Sequence, residues 1–443
     1  MMPPITISGL EDRAAQSKPR HTPPDRESPE NRALHYKPDL RYQDRKHIRG
    51  LSSRSGFARC LTTISGVFPE DHVATKGRVL PRHRSLWGTR GICARSSVTS
   101  LLLGVGSMET KVISGVQFSS LPSNYIRPEH ERPRLSEVME CQNVPVIDLG
   151  CEDKSLTIKQ IGDACQEYGF FQVINHGVSK DAVDRILEVA HEFFSLPVEE
   201  KMKLYSDDPS KTMRLSTSFN VKKETVHNWR DYLRLHCHPL EKYVPEWPSL
   251  PSSFKDVVSR YCKEVRHLGF RLQEAISESL GLDKDNIKNI LGEQGQHMAI
   301  NYYPACPEPE LTYGLPAHTD PNALTILLQD LQVAGLQVLK NGKWLAIKPH
   351  PYAFVINIGD QLQALSNGKY RSVWHRAVVN ASVPRLSVAS FLCPCDSATI
   401  SAPKSLANAE ESTIYRDYTY AEYYKKFWSR NLDQEHCLEL FKN

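Results

Sequence analysis

The sequence lacks what would place it in a membrane or in an oxidising compartment. A membrane span needs about 20 consecutive apolar residues, and the run Leu101-Leu102-Leu103-Gly104-Val105 is far too short. Eleven cysteines are scattered with no Cys-x-x-Cys pair, which points to a reduced, intracellular protein. Cys393-Pro394-Cys395 is the one close pair, and it reads as a coincidence at a strand end. A strong charge imbalance is also missing, because the net charge is only +4. That value hides an asymmetry. Residues 1–107 carry 18 Lys and Arg against 9 Asp and Glu, while the remainder carries 37 against 42. The larger part is therefore mildly acidic, and nothing in it suggests a nucleic-acid partner. Apolar content of 40% and charged content of 24% are ordinary for a soluble globular chain.

Residues 1–107 also lack sustained helical or strand periodicity. They are rich in Pro, Arg and Ser, a composition that does not bury a core. From about Leu51 to Ser107 the only acids are Glu70 and Asp71, which loosely fits a plastid or mitochondrial transit peptide. Residues 1–50 contain seven acids and oppose that reading. The expectation is a disordered basic extension, or an artefact of the gene model, ahead of a protein that starts at Met108.

What is present after Met108 has the pattern of an α+β chain. Residues 121–128 read as an irregular arm and 144–149 as a short strand. Ile158, Ile161, Cys165 and Tyr168 form a helical stripe that Gly169 stops. A strand over 170–175 follows. Ser179 then caps a helix with Val183, Ile186, Leu187, Ala190 and Phe194 on its apolar face, ended by Pro197. His176 has no carboxylate placed near it and reads as structural. Residues 205–240 read as a polar, irregular connection, with His236-Cys237-His238 as an imitation of a metal pair. A long amphipathic helix spans 252–280 and is capped by Gly281. This divides the protein into a helical and strand region over 108–240 and a second region over 241–443.

Short, β-branched, turn-bounded strands are then predicted over 297–303, 324–329, 336–340, 344–347, 353–358, 372–379 and 385–392. Asn341-Gly342 is a strong hairpin signal. Residues 381–384 are predicted to turn the His375 strand back as the Arg385 strand. Thr419-x-x-Glu422 is a capping box. It opens a helix with Tyr420, Tyr423, Tyr424 and Phe427 on one side, packed on the core or closing over a pocket.

The chemistry lies between Asn301 and Phe391. His318 and Asp320 are two apart, and His375 follows His318 by 57 positions. On an extended segment, residues i and i+2 share a face. His375 would come from a neighbouring strand. Two imidazoles and one carboxylate make the facial triad of non-haem Fe(II) oxygenases, which leaves three metal positions open. Arg385 presents a planar fork suited to a carboxylate. Ser387, two residues on, offers a hydroxyl on the same side. The implied co-substrate is a dicarboxylate that chelates iron at one end and meets Arg385 at the other. A lone His-x-Asp is common by chance, but all these parts in this order are not.

With those residues in view, the chain resembles the plant 2-oxoglutarate/Fe(II)-dependent dioxygenases over about residues 110–443. The matching stretches are Asn301-Tyr302-Tyr303-Pro304-Ala305-Cys306-Pro307, His318-Thr319-Asp320, His375-Arg376 and Arg385-Leu386-Ser387. The resemblance implies a double-stranded β-helix (jelly roll) core flanked by helices. It also implies an oxidoreductase that splits O2 at Fe(II) while 2-oxoglutarate becomes succinate and CO2, with ascorbate supporting activity. His318, Asp320 and His375 match the iron ligands. Arg385 and Ser387 match the clamp on the far carboxylate, and Asn301 and Tyr303 match further 2-oxoglutarate contacts.

The wording at 215–220, 228–232 and 359–362 is similar to the downy-mildew-resistance-type branch, which hydroxylates salicylic acid, mainly to 2,5-dihydroxybenzoate and also to 2,3-dihydroxybenzoate, and lowers plant defence. Close relatives in that branch act as flavone synthases on naringenin. The candidate walls of the substrate pocket are Arg214, Phe219, Tyr232 and Phe391. A monomeric, cytoplasmic enzyme with a small aromatic substrate and no membrane partner is expected.

Three function classes compete: salicylate hydroxylase, flavonoid oxygenase with the same machinery, and a protein that keeps the triad only for structure. A structural zinc site would close all four positions with protein ligands, which disfavours the third. The reading of the extension is open to a direct test. A protein beginning at Met108 is expected to melt at the temperature of the full chain and to turn over at the same rate. A marked fall in either would make residues 1–107 part of the folded enzyme.

Overall fold

A computed structural model describes residues 111–141, 144–331, 333–406, 413–430 and 435–443. The extension over 1–107 and its targeting reading lie outside the described residues.

The strands are β1 (Met139–Cys141), β2 (Val146–Asp148), β3 (Phe170–Ile174), β4 (Met213–Thr217), β5 (Asp231–His236), β6 (Gly295–Tyr303), β7 (Leu315–His318), β8 (Leu324–Gln329), β9 (Leu336–Lys340), β10 (Lys343–Ile347), β11 (Phe354–Ile358), β12 (His375–Ala377) and β13 (Arg385–Cys393). A short ribbon pairs β14 (Thr399–Ile400) with β15 (Tyr418–Thr419). The helices are α1 (Lys154–Glu167), α2 (Lys180–Phe194), α3 (Val198–Met202), α4 (Leu240–Tyr243), α5 (Phe254–Ser279), α6 (Asn286–Leu291), α7 (Asp360–Leu365) and α8 (Tyr420–Trp428).

Two sheets form the jelly-roll core. The larger has eight strands in the order β2-β3-β11-β8-β13-β6-β5-β4, and the smaller has five in the order β1-β10-β9-β12-β7. On β13 the side chains alternate, as a strand requires. Leu386 and Val388 join the large hydrophobic cluster that includes residues of α1, α2 and α5. Arg385, Ser387, Ala389 and Phe391 line a cavity to which the smaller sheet contributes Leu315, His318, Leu336 and His375. One face of the larger sheet is thus covered by helices and the other looks into the site.

The helix predictions hold closely. Ser179 caps α2 through the Ala182 amide, and Gly281, at φ 78°, ends α5. Asn341 and Gly342 both take positive φ between β9 and β10, as a two-residue hairpin turn requires. The Thr419 hydroxyl accepts from the Glu422 amide at the start of α8.

Three expectations are corrected. Residues 205–240 are not an irregular connection, because β4 and β5 pair antiparallel and β5 pairs with β6. Their polar side chains concealed the strand pattern. Leu215, Leu233 and Leu235 face the hydrophobic cluster, while Arg214, Tyr232 and Arg234 face a cavity. The β5–β6 pairing also joins residues on both sides of position 240 in one sheet.

Second, residues 381–384 do not close a hairpin. β12 pairs with β7 and β9 in the smaller sheet, and β13 pairs with β6 and β8 in the larger one. The chain crosses between layers, so His375 and Arg385 meet across a cavity instead of along a ribbon. Third, His318 is the last residue of β7, and Asp320 belongs to the following turn. The strand predicted over 372–379 shortens accordingly to His375–Ala377.

Candidate active site

The pairing of β7 with β12 sets His318 opposite His375. Their rings lie 4.2 Å apart, centre to centre. The Nε2 atoms of His318 and His375 are 3.8 and 3.6 Å from Asp320 Oδ1. The three ligand atoms fall within 4.8 Å of one another, and no other such group of His, Cys, Asp or Glu occurs among the described residues.

Backbone carbonyls fix the orientation of both imidazoles. His318 Nδ1 lies 2.9 Å from the Pro316 carbonyl, and His375 Nδ1 lies 3.2 Å from that of Val373. A proton on each Nδ1 donates to its carbonyl, so each Nε2 offers a lone pair to the shared centre. Burial, and then His375, push the His318 pKa down to about 3, which keeps that ring neutral and ligand-ready.

Asp320 is oriented in the same way. Its Oδ2 accepts from Thr325 Oγ1 at 2.6 Å and from Asn357 Nδ2 at 2.7 Å, which leaves Oδ1 for the histidines. Burial raises its pKa, but His375, His318 and these two donors outweigh burial and hold the carboxyl below its usual value. A carboxylate oxygen and two imidazole nitrogens, each anchored from behind, fit Fe(II) in chemistry and placement.

Two cavities meet at this set, and His318 and Asp320 border both. The inner one, of about 90 Å³, is lined by Asn301, Tyr303, Arg385 and Ser387 among others. Arg385 is 2% exposed. Its Nη2 donates to Gln329 Oε1 at 3.2 Å, Nη1 lies 3.5 Å from Ser387 Oγ, and the guanidinium sits 5.1 Å over the Tyr303 ring. Its Nε has no hydrogen-bond partner. Burial lowers its pKa, with Tyr303 and Asp330 acting in the opposite sense, and a guanidinium stays charged at neutral pH. A Cβ on Gly335 would stand 2.6 Å from Arg385 Cδ, so glycine is the residue that admits this side chain.

The outer cavity, of about 130 Å³, brings together Arg214, Phe219, Tyr232 and Phe391, the four residues expected to wall the substrate. Arg214 Nη2 donates to Tyr232 Oη at 2.6 Å, and Arg214 Nε is buried without a partner. Phe219 stacks on Trp428 of α8 at 5.1 Å between centres. Tyr420, Tyr424 and Phe427 of α8 also border the space, whereas Tyr423 turns into the core.

With this geometry, sequence comparison is decisive. Residues 144–250 match the family described as non-haem dioxygenase in morphine synthesis N-terminal, and residues 294–394 match the 2OG-Fe(II) oxygenase superfamily. Protein DOWNY MILDEW RESISTANCE 6 of Arabidopsis thaliana is 68% identical over 340 residues, which are 76% of this chain and all of the relative. The chain belongs to the 2OG-Fe(II) oxygenase superfamily. Flavanone 3-dioxygenase 2 of Oryza sativa subsp. japonica is 64% identical over 75% of this chain and 97% of its own. A crystal structure of JOX2 in complex with 2OG, Fe and JA superposes with a TM-score of 0.69 at 36% identity, covering 75% of this chain and 97% of that one. This member of the superfamily is therefore a dioxygenase of the downy-mildew-resistance branch that uses Fe(II) and 2-oxoglutarate. No helix among the described residues is long and apolar enough to cross a membrane.

The decoys resolve without a metal. His236 stacks on His297 at 4.0 Å, and burial pushes their pKa values down to about 4 and about 3. His176 Nε2 lies 2.7 Å from the Tyr352 carbonyl. Cys393 and Cys395 are free thiols.

Sequence reasoning passed over Arg230, which borders both cavities. Its Nη1 donates to Asn301 Oδ1 at 3.2 Å, and the guanidinium lies 4.4 Å over the Tyr232 ring. The signal was the period-two spacing of Arg230, Tyr232 and Arg234. Thr325 and Asn357 were also missed, because nothing local marks a residue whose role is to hold another.

The metal assignment has a simple test. The purified protein is expected to bind one Fe(II), and the Asp320→Ala variant to lose both iron and turnover while keeping its circular dichroism. An Asp320→Ala protein that is iron-replete and fully active would remove Asp320 from the ligand set.

Proposed function

We propose that this dioxygenase hydroxylates salicylate, in the way its resemblance to the downy-mildew-resistance branch implies. The observation that carries the reading is Arg214. It is a buried cation with an unsatisfied Nε, set in a cavity walled by Phe219, Tyr232 and Phe391. A buried guanidinium with spare donors calls for an anion, and the aromatic walls call for a flat ring. A single-ring benzoate supplies both. The cavity, at about 130 Å³, lies below the range of about 300–1,000 Å³ usual for drug-sized ligands, which favours one ring over a three-ring flavanone.

In this proposal His318, Asp320 and His375 hold the iron, and Arg385 with Ser387 takes the far carboxylate of 2-oxoglutarate. Asn301 and Tyr303 complete the co-substrate wall. Iron bound here supplies the O2 chemistry that couples loss of CO2 from 2-oxoglutarate to oxygenation of the substrate. The protein orients both organic molecules from opposite sides of the His318–Asp320 edge. The tight inner cavity excludes bulk water from the charged end of the co-substrate.

The second reading is oxidation of a flavanone such as naringenin. It is favoured by the similarity to the rice flavanone 3-dioxygenase 2.

Arg385→Lys keeps the charge and loses the planar fork. The half-saturation for 2-oxoglutarate is expected to weaken by roughly 1.5–3 kcal/mol, the scale of a charge-assisted hydrogen bond. An unchanged value would mean that another residue holds the co-substrate.

Arg214→Ala separates the two substrates. Turnover of salicylate should fall far more than turnover of naringenin. Equal losses on both compounds, or a wild type that makes apigenin and no dihydroxybenzoate, would move the assignment to the flavonoid reading.

A further inference from the structure

Asp360 is fully buried and is not among the residues that line either cavity. Its carboxylate nevertheless meets side chains from three separate segments. Thr319, which lies between the ligands His318 and Asp320, donates its hydroxyl to Oδ2 at 3.3 Å. Tyr423 of α8 donates its hydroxyl to the same oxygen in a short hydrogen bond. His436 Nε2 lies 3.4 Å from Oδ1.

The tautomer of His436 follows from its other nitrogen. Nδ1 accepts the Leu438 amide at 3.2 Å, which leaves the ring proton on Nε2, close to Asp360 Oδ1 but outside hydrogen-bond geometry. The two hydroxyl donors, from Thr319 and Tyr423, both meet Oδ2, while His436 stands beside Oδ1. Burial holds the pKa of this group above its ordinary value, with His436 the first of the influences opposing it.

The backbone of the same residue reaches the metal loop directly. The Asp360 amide donates to the Asp320 carbonyl at 2.8 Å, and the Gly359 amide donates to Ala323 O at 2.9 Å. Gly359 packs so closely on the Asn322 carbonyl that any Cβ there would collide with it. The turn that carries Asp320 therefore rests on residues 359–360, and those residues are held from the far side by the C-terminal segment.

We propose that Asp360 is a positioning residue that fastens the C-terminal segment, through Tyr423 and His436, to the Thr319–Asp320 turn and so sets the iron-binding geometry. α8 presents Tyr424, Phe427 and Trp428 to the outer cavity and Tyr423 to Asp360, so the helix that walls the substrate space also braces the metal loop. Partners that hold a metal ligand from behind commonly change metal affinity by about 10–100-fold when removed.

The test uses the full-length protein, with Mn(II) as a redox-inert probe. Tyr423→Phe removes one oxygen and keeps the ring. Asp360→Asn keeps the shape and replaces an acceptor with a donor. Tyr415→Phe is the control, because Tyr415 Oη only accepts from Gln363 Nε2 at 2.8 Å elsewhere on the same junction.

The expected results are a roughly tenfold weaker Mn(II) dissociation constant for Tyr423→Phe and faster hydrogen exchange over 319–323 in the metal-free protein. Neither change is expected in Tyr415→Phe, and the half-saturation for 2-oxoglutarate should stay at the wild-type value. A Tyr423→Phe protein with wild-type Mn(II) affinity and wild-type exchange over 319–323 would overturn the proposal. Tyr423→Phe is sufficient for this outcome should Asp360→Asn fail to fold. A lower melting temperature with no change in either quantity would equally overturn it, since Asp360 would then serve stability only.

Discussion

The structure depends on holding two imidazoles and a carboxylate close together in a buried space before any metal arrives. Unmanaged, three such groups would each seek solvent, and burying them without partners is costly. Here every atom that faces away from the centre has a partner. The two Nδ1 atoms meet the carbonyls of Pro316 and Val373, and Asp320 Oδ2 meets Thr325 and Asn357. The unsatisfied valence therefore points inward, where a cation neutralises the carboxylate. The double-sheet architecture follows from this need. One sheet supplies the histidines at a β7–β12 pairing, the other supplies Thr325 and Asn357 on β8 and β11, and Asp320 lies on the turn between layers.

How much of this was legible in the sequence depended on whether the signal was local. His318, Asp320, His375, Arg385 and Ser387 were readable because their spacing and residue types are rare together. Asn341-Gly342, Ser179 and Thr419 were readable because a turn or a cap needs only a few neighbouring residues. The crossing from β12 to β13 was not, since four residues of turn composition fit a hairpin and an interlayer connection equally well. β4 and β5 were not, because a strand whose exposed face becomes a polar cavity wall looks like a loop when hydrophobicity is the guide. Asp360 falls within a family-like stretch but has no chemical signal of its own in the sequence. Its meaning comes from Tyr423 and His436, which stand 63 and 76 positions further on.

The same two polar strands give the two cavities different walls. The end of the inner cavity that holds Asn301, Tyr303, Arg385 and Ser387 is built from β6 and β13, whose residues pair in unbroken register from Arg385–Tyr303 to Cys393–Gly295. A shift in that register would displace Arg385 and Asn301 together. The outer cavity draws Arg214, Tyr232 and Arg234 from β4 and β5, which lie at the end of the sheet, and closes with Phe219 and Trp428 from outside it. Arg214, Phe219, Tyr232, Arg234 and Trp428 border the outer cavity and not the inner one.

Arg230 is the exception, because it contacts Asn301 on one side and Tyr232 on the other. Of the two arginines, Arg230 is shared by both cavities, whereas Arg214 borders the outer one alone and reaches the inner one only through Tyr232 and Arg230.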